Sequence, residues 1–142
     1  MCTACGFFIM PKRFTDTDKW KKPFIRSLKP EYKLLWLYIL DDCDRSGIWD
    51  VDIEVAALRI GCRSITEKEA LAAFGKMVHV FADGRKWFVV KFPHFQYRHL
   101  KPSHSLHKAV IDDLTEYDLY RIAQEHLYEE AWDDKDCSRP VQ

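Results

Sequence analysis

The sequence predicts a mostly helical α+β domain, and three observations carry that prediction. One is the apolar run Leu34 to Leu40, framed by Pro30 before it and by the turn-forming DDCDRSG of residues 41–47 after it. Another is a pair of short amphipathic patterns, over residues 53–60 and 67–78, separated by a handful of residues around Gly61. The third is two runs rich in β-branched and aromatic residues that meet at Asp83-Gly84, a dipeptide favoured by the tight type I′ hairpin turn.

Residues 18–28 (DKWKKPFIRSL) set Trp20, Phe24 and Leu28 at i, i+4, i+8, so a short helix is expected, with Pro23 limiting its regularity. Lys19, Lys21, Lys22 and Arg26 give it a basic side. Pro30 suits the first position of the next, central helix. Seven consecutive apolar residues leave that helix no solvated stripe, so other elements are expected to surround it. Ile48 to Val51 then form a short strand. Asp52 is the N-cap of a helix with Ile53, Ala56, Ala57 and Ile60 in phase, ending at Gly61.

Thr66-x-x-Glu69 is a capping box, and the helix it opens is expected to bury Leu71, Phe74 and Val78. The short connection between these two helices is that of a helix-turn-helix. A hairpin follows with Arg85 and Lys86 at or near its tip, and the Ile48 strand is the third strand of the sheet. Helix, strand, helix, helix, hairpin is the order of a winged helix. The expectation is therefore a winged helix-turn-helix over residues 10–114, with a small antiparallel wing hairpin and extra C-terminal helices.

Phe92 to Pro102 (FPHFQYRHLKP) reads as a basic, aromatic segment punctuated by prolines. Beyond it, a helix capped by Ser103 or Ser105 presents Leu106, Val110 and Leu114 on one face. Thr115 to about Trp132 forms another, with Leu119, Ile122, Ala123 and Leu127 in phase and an acidic outer side. Residues 115–142 are thus an acidic C-terminal helix and tail. At the other end, MCTACGFFI has neither a basic start nor an adequate apolar run for a signal peptide, and Met10 looks like a natural start. Residues 1–9 are expected to be an N-terminal extension outside the ordered fold.

At 142 residues and 47% hydrophobic, the chain can build one core; a domain near that size buries roughly 68–70% of its unfolded surface. Its five cysteines (Cys2, Cys5, Cys43, Cys62, Cys137) are odd in number and scattered, unlike a secreted disulfide framework, so a reducing cytoplasm is expected. The apolar run is shorter than the about 20 residues a bilayer requires, and no membrane partner is expected. Zero net charge conceals segregation. Lys and Arg exceed Asp and Glu by five in residues 1–40 and again in 81–110, whereas acids exceed bases by three in 41–80 and by seven in 111–142. Basic regions balanced by an acidic end suggest a polyanion-facing surface.

Catalysis has no support: there is no Gly-rich phosphate loop, no G-x-S-x-G and no recognisable Cys/His pairing. Asp41, Asp42, Asp44, Asp50 and Asp52 lack calcium-loop spacing, and a polar turn followed by a helix cap accounts for them. Cys2-x-x-Cys5 lacks the second ligand pair of a zinc site. His94, His99, His104 and His107 include a ligand-like i, i+3 pair with no carboxylate or thiol nearby in sequence. Neither enzyme activity, nor a metal, nor a cofactor is expected.

The second helix of the helix-turn-helix is expected to present Lys68, Ala72, Lys76 and His79 outward. That face offers no Arg, Asn or Gln to pair with guanine or adenine edges, and Glu67 and Glu69 stand at its start. Phosphate contact is the better expectation. Arg63, Lys68, Lys76, Arg85, Lys86 and Lys91, with Arg98 and Lys101 beside them, are the candidate DNA-binding residues, giving salt-dependent affinity with little sequence preference. Phe95 and Tyr97, interleaved with His94, Arg98 and His99, are candidates to stack on unpaired bases; packing that pins the segment to the domain is the alternative.

The run Asp18-Lys19-Trp20, Phe24, Leu28-Lys29-Pro30, Lys33 to Trp36, Asp42-x-Asp44-x-x-Gly47-Ile48-Trp49 and Asp52, followed by Phe95-Gln96-Tyr97, Leu100-Lys101-Pro102 and His107, resembles a known family. It is similar to the N-terminal winged-helix domains of phage and mobile-element replication proteins, of the DnaD-type primosome and replisome-organiser kind, over roughly residues 10–114. The resemblance implies a role in replication initiation, contact with single- or double-stranded DNA, homo-oligomers and replication-protein partners. Such proteins usually continue into a second domain that engages the helicase machinery. Here an acidic helix follows instead, so a short adaptor or a truncated relative is expected. The alternatives are a protein-interaction or oligomerisation module built on the same fold, and a transcriptional regulator, which needs base-reading side chains absent from the second helix.

Overall fold

The computed structural model describes residues 12–125. The expected N-terminal extension with Cys2, Cys5 and Met10, and the expected end of the acidic helix with Leu127, Trp132, Cys137 and the tail, lie outside the described residues. Within them the chain is an α+β structure, mostly helical, with one small antiparallel sheet of three strands.

Residues 18–28 do not form one helix. Lys19–Lys21 makes a 3₁₀ turn, Lys22 is extended (ψ 139°), and α1 runs over Pro23–Ser27. The cause is Pro23: its ring disfavours helical backbone at the residue before it, yet suits the first turn of a helix after it. Trp20 is therefore left 54% exposed, while Ile25 and Leu28 enter the core.

The central helix α2, Pro30–Asp42, starts at its proline as expected. Other elements do not surround it. Tyr32, Leu35, Trp36 and Ile39, spaced i, i+3, i+4, i+7, form one buried stripe, and Leu34 is 48% exposed. A domain this small has too few elements to cover every side of a helix, and scattered exposed leucines are ordinary on protein surfaces.

β1 (Ile48–Asp50) leads to α3 (Ile53–Ile60), capped by the Asp52 side chain accepting from Val55 N at 3.1 Å. Next, α4 (Glu67–Phe74) opens with Thr66 Oγ1 accepting from Glu69 N at 3.2 Å. The reciprocal half of this capping box passes through another helix. The Tyr32 hydroxyl of α2 donates to Glu69 Oε2 at 2.7 Å and accepts from Thr66 N at 3.2 Å. Glu69 thus satisfies the helix start by way of Tyr32, which locks α2 against α4.

The expected helix through Val78 ends one turn early. Gly75 takes φ 53°, outside helical backbone, so a 3₁₀ turn follows over Gly75–Met77 and Val78 opens β2 (Val78–Phe81). Ala70 and Phe74 make the buried face of α4, while His79 lies on a strand. β2 and β3 (Lys86–Val89) then pair across a tight turn: Asp83 and Gly84 have φ 54° and 82°, and Arg85 N donates to Ala82 O at 3.1 Å. Positive φ at both central residues is the type I′ geometry expected of Asp-Gly.

The strand order is β1-β3-β2, so the last strand lies in the middle. Its alternation divides the core. Trp87 and Val89 face a cluster built on α2 with Trp49, Phe74 and Val78, whereas Phe88 and Val90 face a second cluster with Ile48, Val110, Leu114, Leu119 and Ala123. The sheet is therefore covered on both faces, by α1 to α4 on one side and on the other by α6 (Ser105–Glu116) and the helical residues 120–125. The expected division between residues 114 and 115 falls inside α6, and Leu119 and Ala123 complete the cluster that Val110 begins. His104, without a side-chain capping bond, occupies the N-cap in place of Ser103 or Ser105, and Leu106 is 41% exposed.

Candidate nucleic-acid interface

The proline-punctuated segment after β3 is not extended. Phe92–Tyr97 forms α5, with Pro93 in its first turn, where a missing N–H costs nothing. Phe92 and Pro93 are buried. Gln96 accepts from Phe14 N at 3.0 Å and donates to Phe14 O at 2.9 Å, clamping the backbone at residue 14. Tyr97 OH donates to Arg45 O at 2.6 Å, and its ring lies 5.4 Å from that of His107. Burial raises the Tyr97 pKa. Of the two stacking candidates, Phe95 presents more open surface, at 42% exposure.

A separate set of hydrogen bonds explains why the turn after α2 has its sequence. Asp44 Oδ1 accepts from Ser46 N at 2.8 Å and from Ile48 N at 2.9 Å, closing an Asx turn. Gly47 has φ 87°, and a Cβ there would stand 2.7 Å from Phe92 Cβ. Trp49 Nε1 donates to Asp42 Oδ2 at 2.9 Å. The aspartates of this run are thus turn and anchor groups. Among the described residues, no three His, Cys, Asp or Glu gather as a metal-binding set.

The basic candidates occupy several elements. Arg63 lies in the α3–α4 connection, Lys68 on α4 and Lys76 on the 3₁₀ turn after it, and all three are exposed. Arg85 sits exposed in the hairpin turn, where its Nε also donates to Ala82 O at 3.1 Å. Lys86 begins β3 and is paired with Asp50 across the sheet, 5.9 Å from the Tyr117 ring centroid. The hydrogen bond to Asp50 holds the Lys86 pKa above its ordinary value, which leaves this lysine less available than Arg85 to an incoming phosphate. Lys91 is half-buried before α5. Lys101 is exposed, and its backbone N–H donates to His107 Nδ1 at 3.1 Å.

Arg98 differs from the others. It ends α5 at φ 58°, ψ −92°, a conformation rare for a side chain of its size, costing about 1–3 kcal/mol. His94 holds it there: Arg98 N donates to His94 O at 2.7 Å, and His94 Nδ1 lies 3.2 Å from Arg98 O. Arg98 lines a cavity of about 190 Å³ with His94, His99, Tyr120 and Gln124. Tyr120 and Gln124 escaped sequence reasoning because they lie more than twenty residues downstream of Arg98 on a helical segment read only for its apolar phase.

Among the described residues no helix is long and apolar enough to cross a membrane. No protein-family model, curated protein or solved structure matches this chain.

Proposed function

We propose that this chain is a non-enzymatic, cytoplasmic DNA-binding protein of phage or mobile-element replication, built on a winged helix and contacting mainly phosphates. The observation that carries the reading is the order α2-β1-α3-α4-β2-β3 with β1 paired on the far side of β3, ending in a hairpin with Arg85 exposed at its tip. A helix pair followed by such a hairpin is the frame of a winged helix. Exposed Lys68 and Lys76 add positive charge to its second helix and the turn after it. Base readout is not part of the proposal, because α4 (EKEALAAF) carries none of the side chains that pair bidentately with purine edges.

The test is to measure DNA affinity against salt for the parent and for single variants. Each lost phosphate contact should flatten the logarithmic slope by about 0.9 on duplex DNA. Arg85→Ala is expected to show that change, and Lys86→Ala a smaller one because Asp50 already engages the lysine. Equal affinity and slope for parent and Arg85→Ala would remove the wing from the interface.

One observation favours a second reading, self-association through α3. Leu58 is 72% exposed beside a groove also lined by Ile53, Ala57 and Ile65. That reading expects a concentration-dependent dimer that Leu58→Glu dissolves and Arg85→Ala leaves intact, as read by light scattering.

A further inference from the structure

The polar residues that line the cavity at the end of α5 are all hydrogen-bond donors by type. They are Arg98, His94, His99, Tyr120 and Gln124, and the apolar residues lining it are Pro93, Leu100 and Ala123. Among the described residues no carboxylate lines it, and the nearest of them in sequence, Glu125, is turned to Arg121 at 3.0 Å. Guanidinium, imidazole, phenol and amide groups all donate hydrogen bonds, and two of these residue types carry or accept positive charge. A concave site with that inventory suits an anion rich in acceptor oxygens.

Size narrows the choice. A cavity of 150 Å³ takes a molecule as large as benzene, and whole drug-sized ligands need about 300 Å³ or more. At about 190 Å³ this cavity has the size to take one tetrahedral oxyanion with a few waters.

The backbone provides an independent observation. Arg98 is kept at φ 58° by its two contacts with His94, which also lines the cavity. Strained backbone at a non-glycine residue clusters at ligand sites, where surrounding structure over-determines it. The two walls come from different parts of the chain, residues 93–100 and the helical residues 120–124, so the cavity exists only once the second cluster has packed.

We propose that this cavity is a phosphate-binding site, formed by Arg98, His94 and His99 with Tyr120 and Gln124, which takes a single phosphate group. This goes beyond DNA binding through the wing and does not rest on it.

The full chain is titrated with inorganic phosphate against chloride at matched ionic strength, followed by two-dimensional NMR of backbone amides and the arginine Nε–H. Saturable shifts confined to residues 94–99 and 120–124 are expected. Arg98→Gly should weaken them by at least about tenfold, since a charge-assisted donor is lost. That variant should fold at least as well as the parent, because glycine adopts positive φ without strain. His99→Gln, which keeps a donor and removes the charge, should weaken binding less.

Shifts that match chloride and do not saturate overturn the proposal, as does a folded Arg98→Gly that binds phosphate as tightly as the parent. Oligonucleotides with a 5′-phosphate and with a 5′-hydroxyl identify the source: preference for the phosphorylated strand makes a strand end the ligand, and equal binding makes it free phosphate. DNA binding without phosphate saturation sinks the cavity and spares the wing, whereas phosphate saturation without DNA binding does the reverse.

Discussion

Gly47 carries more constraint than any other described glycine. Its φ of 87° lies in left-handed space, and a Cβ would meet Phe92 at 2.7 Å. Gly47→Ala should therefore cost roughly 2–5 kcal/mol, combining backbone strain with overpacking, and chemical denaturation reads it directly. Cys43 is constrained in another way. Burial pushes its thiol up to about 12 even though the Arg13 guanidinium, 3.3 Å from Sγ, pulls the other way. At neutral pH it stays a thiol, and the thiolate is the nucleophile. Alkylation of the native protein mapped by mass spectrometry should therefore modify the half-exposed Cys62 and spare Cys43 until the chain unfolds. Rapid labelling of Cys43 in the folded state would show that its surroundings open. The sequence revealed that these residues belong to a turn. It gave no sign of the partners that constrain them, Phe92 and Arg13, which approach only in three dimensions.

Among elements, the turn between α2 and β1 shows how a run of aspartates becomes architecture. Asp44 accepts from two backbone N–H groups, Asp42 holds the Trp49 indole, and Arg13 donates to the carbonyls of Leu40 at 2.6 Å and Asp41 at 3.0 Å, at the end of α2 where positive charge is favoured. Asp44→Ala should lose about 1–2 kcal/mol, and Asp44→Asn should regain most of it because the amide oxygen still accepts. Equal loss in both variants would mean that charge, not the hydrogen-bond acceptor, matters there. Element types were legible wherever a local signal decided them: Pro30, Asp52, Thr66 and Asp83-Gly84 each stand at the boundary they announced. Errors arose where one glycine or proline outweighed a hydrophobic period. Gly75 ended α4 although Val78 remained in phase, and Pro23 split a helix that Trp20, Phe24 and Leu28 had suggested. Phe92–Tyr97 reads in sequence only as a basic, aromatic segment punctuated by prolines, whereas it forms a helix with Pro93 in the first turn.

The described residues form three layers, with β3 buried on both faces at the centre. Sequence alone could not show this, since Lys86 to Val90 reads equally well as half of an exposed hairpin; only the packing of Val110, Leu114 and Leu119 against Phe88 and Val90 makes the second layer. An ion pair helps to hold that layer. Arg45 Nε and Ser46 Oγ donate to Asp113 Oδ2 at 2.9 and 2.8 Å, joining the α2–β1 turn to α6. The hydrogen bond from Arg45 lowers the Asp113 pKa below 3.8, so the unfolded chain takes up this proton first as pH falls. The stabilisation is complete above that range and is lost as pH drops through the folded value. It amounts to about 1 kcal/mol, since the arginine side chain is half exposed and screened by solvent. Asp113→Asn should accordingly be less stable than the parent at neutral pH and converge with it in acid, as followed by thermal melts across pH.

For the molecule as a whole, we propose that the hairpin and the helix pair before it bind DNA through phosphates. The most direct measurement is a fluorescence-anisotropy titration of single-stranded, duplex and forked DNA at two salt concentrations. Binding that weakens steeply with salt and varies little with sequence is the expected result. Absence of binding to every DNA form at low salt, or a sharp sequence preference, would contradict it.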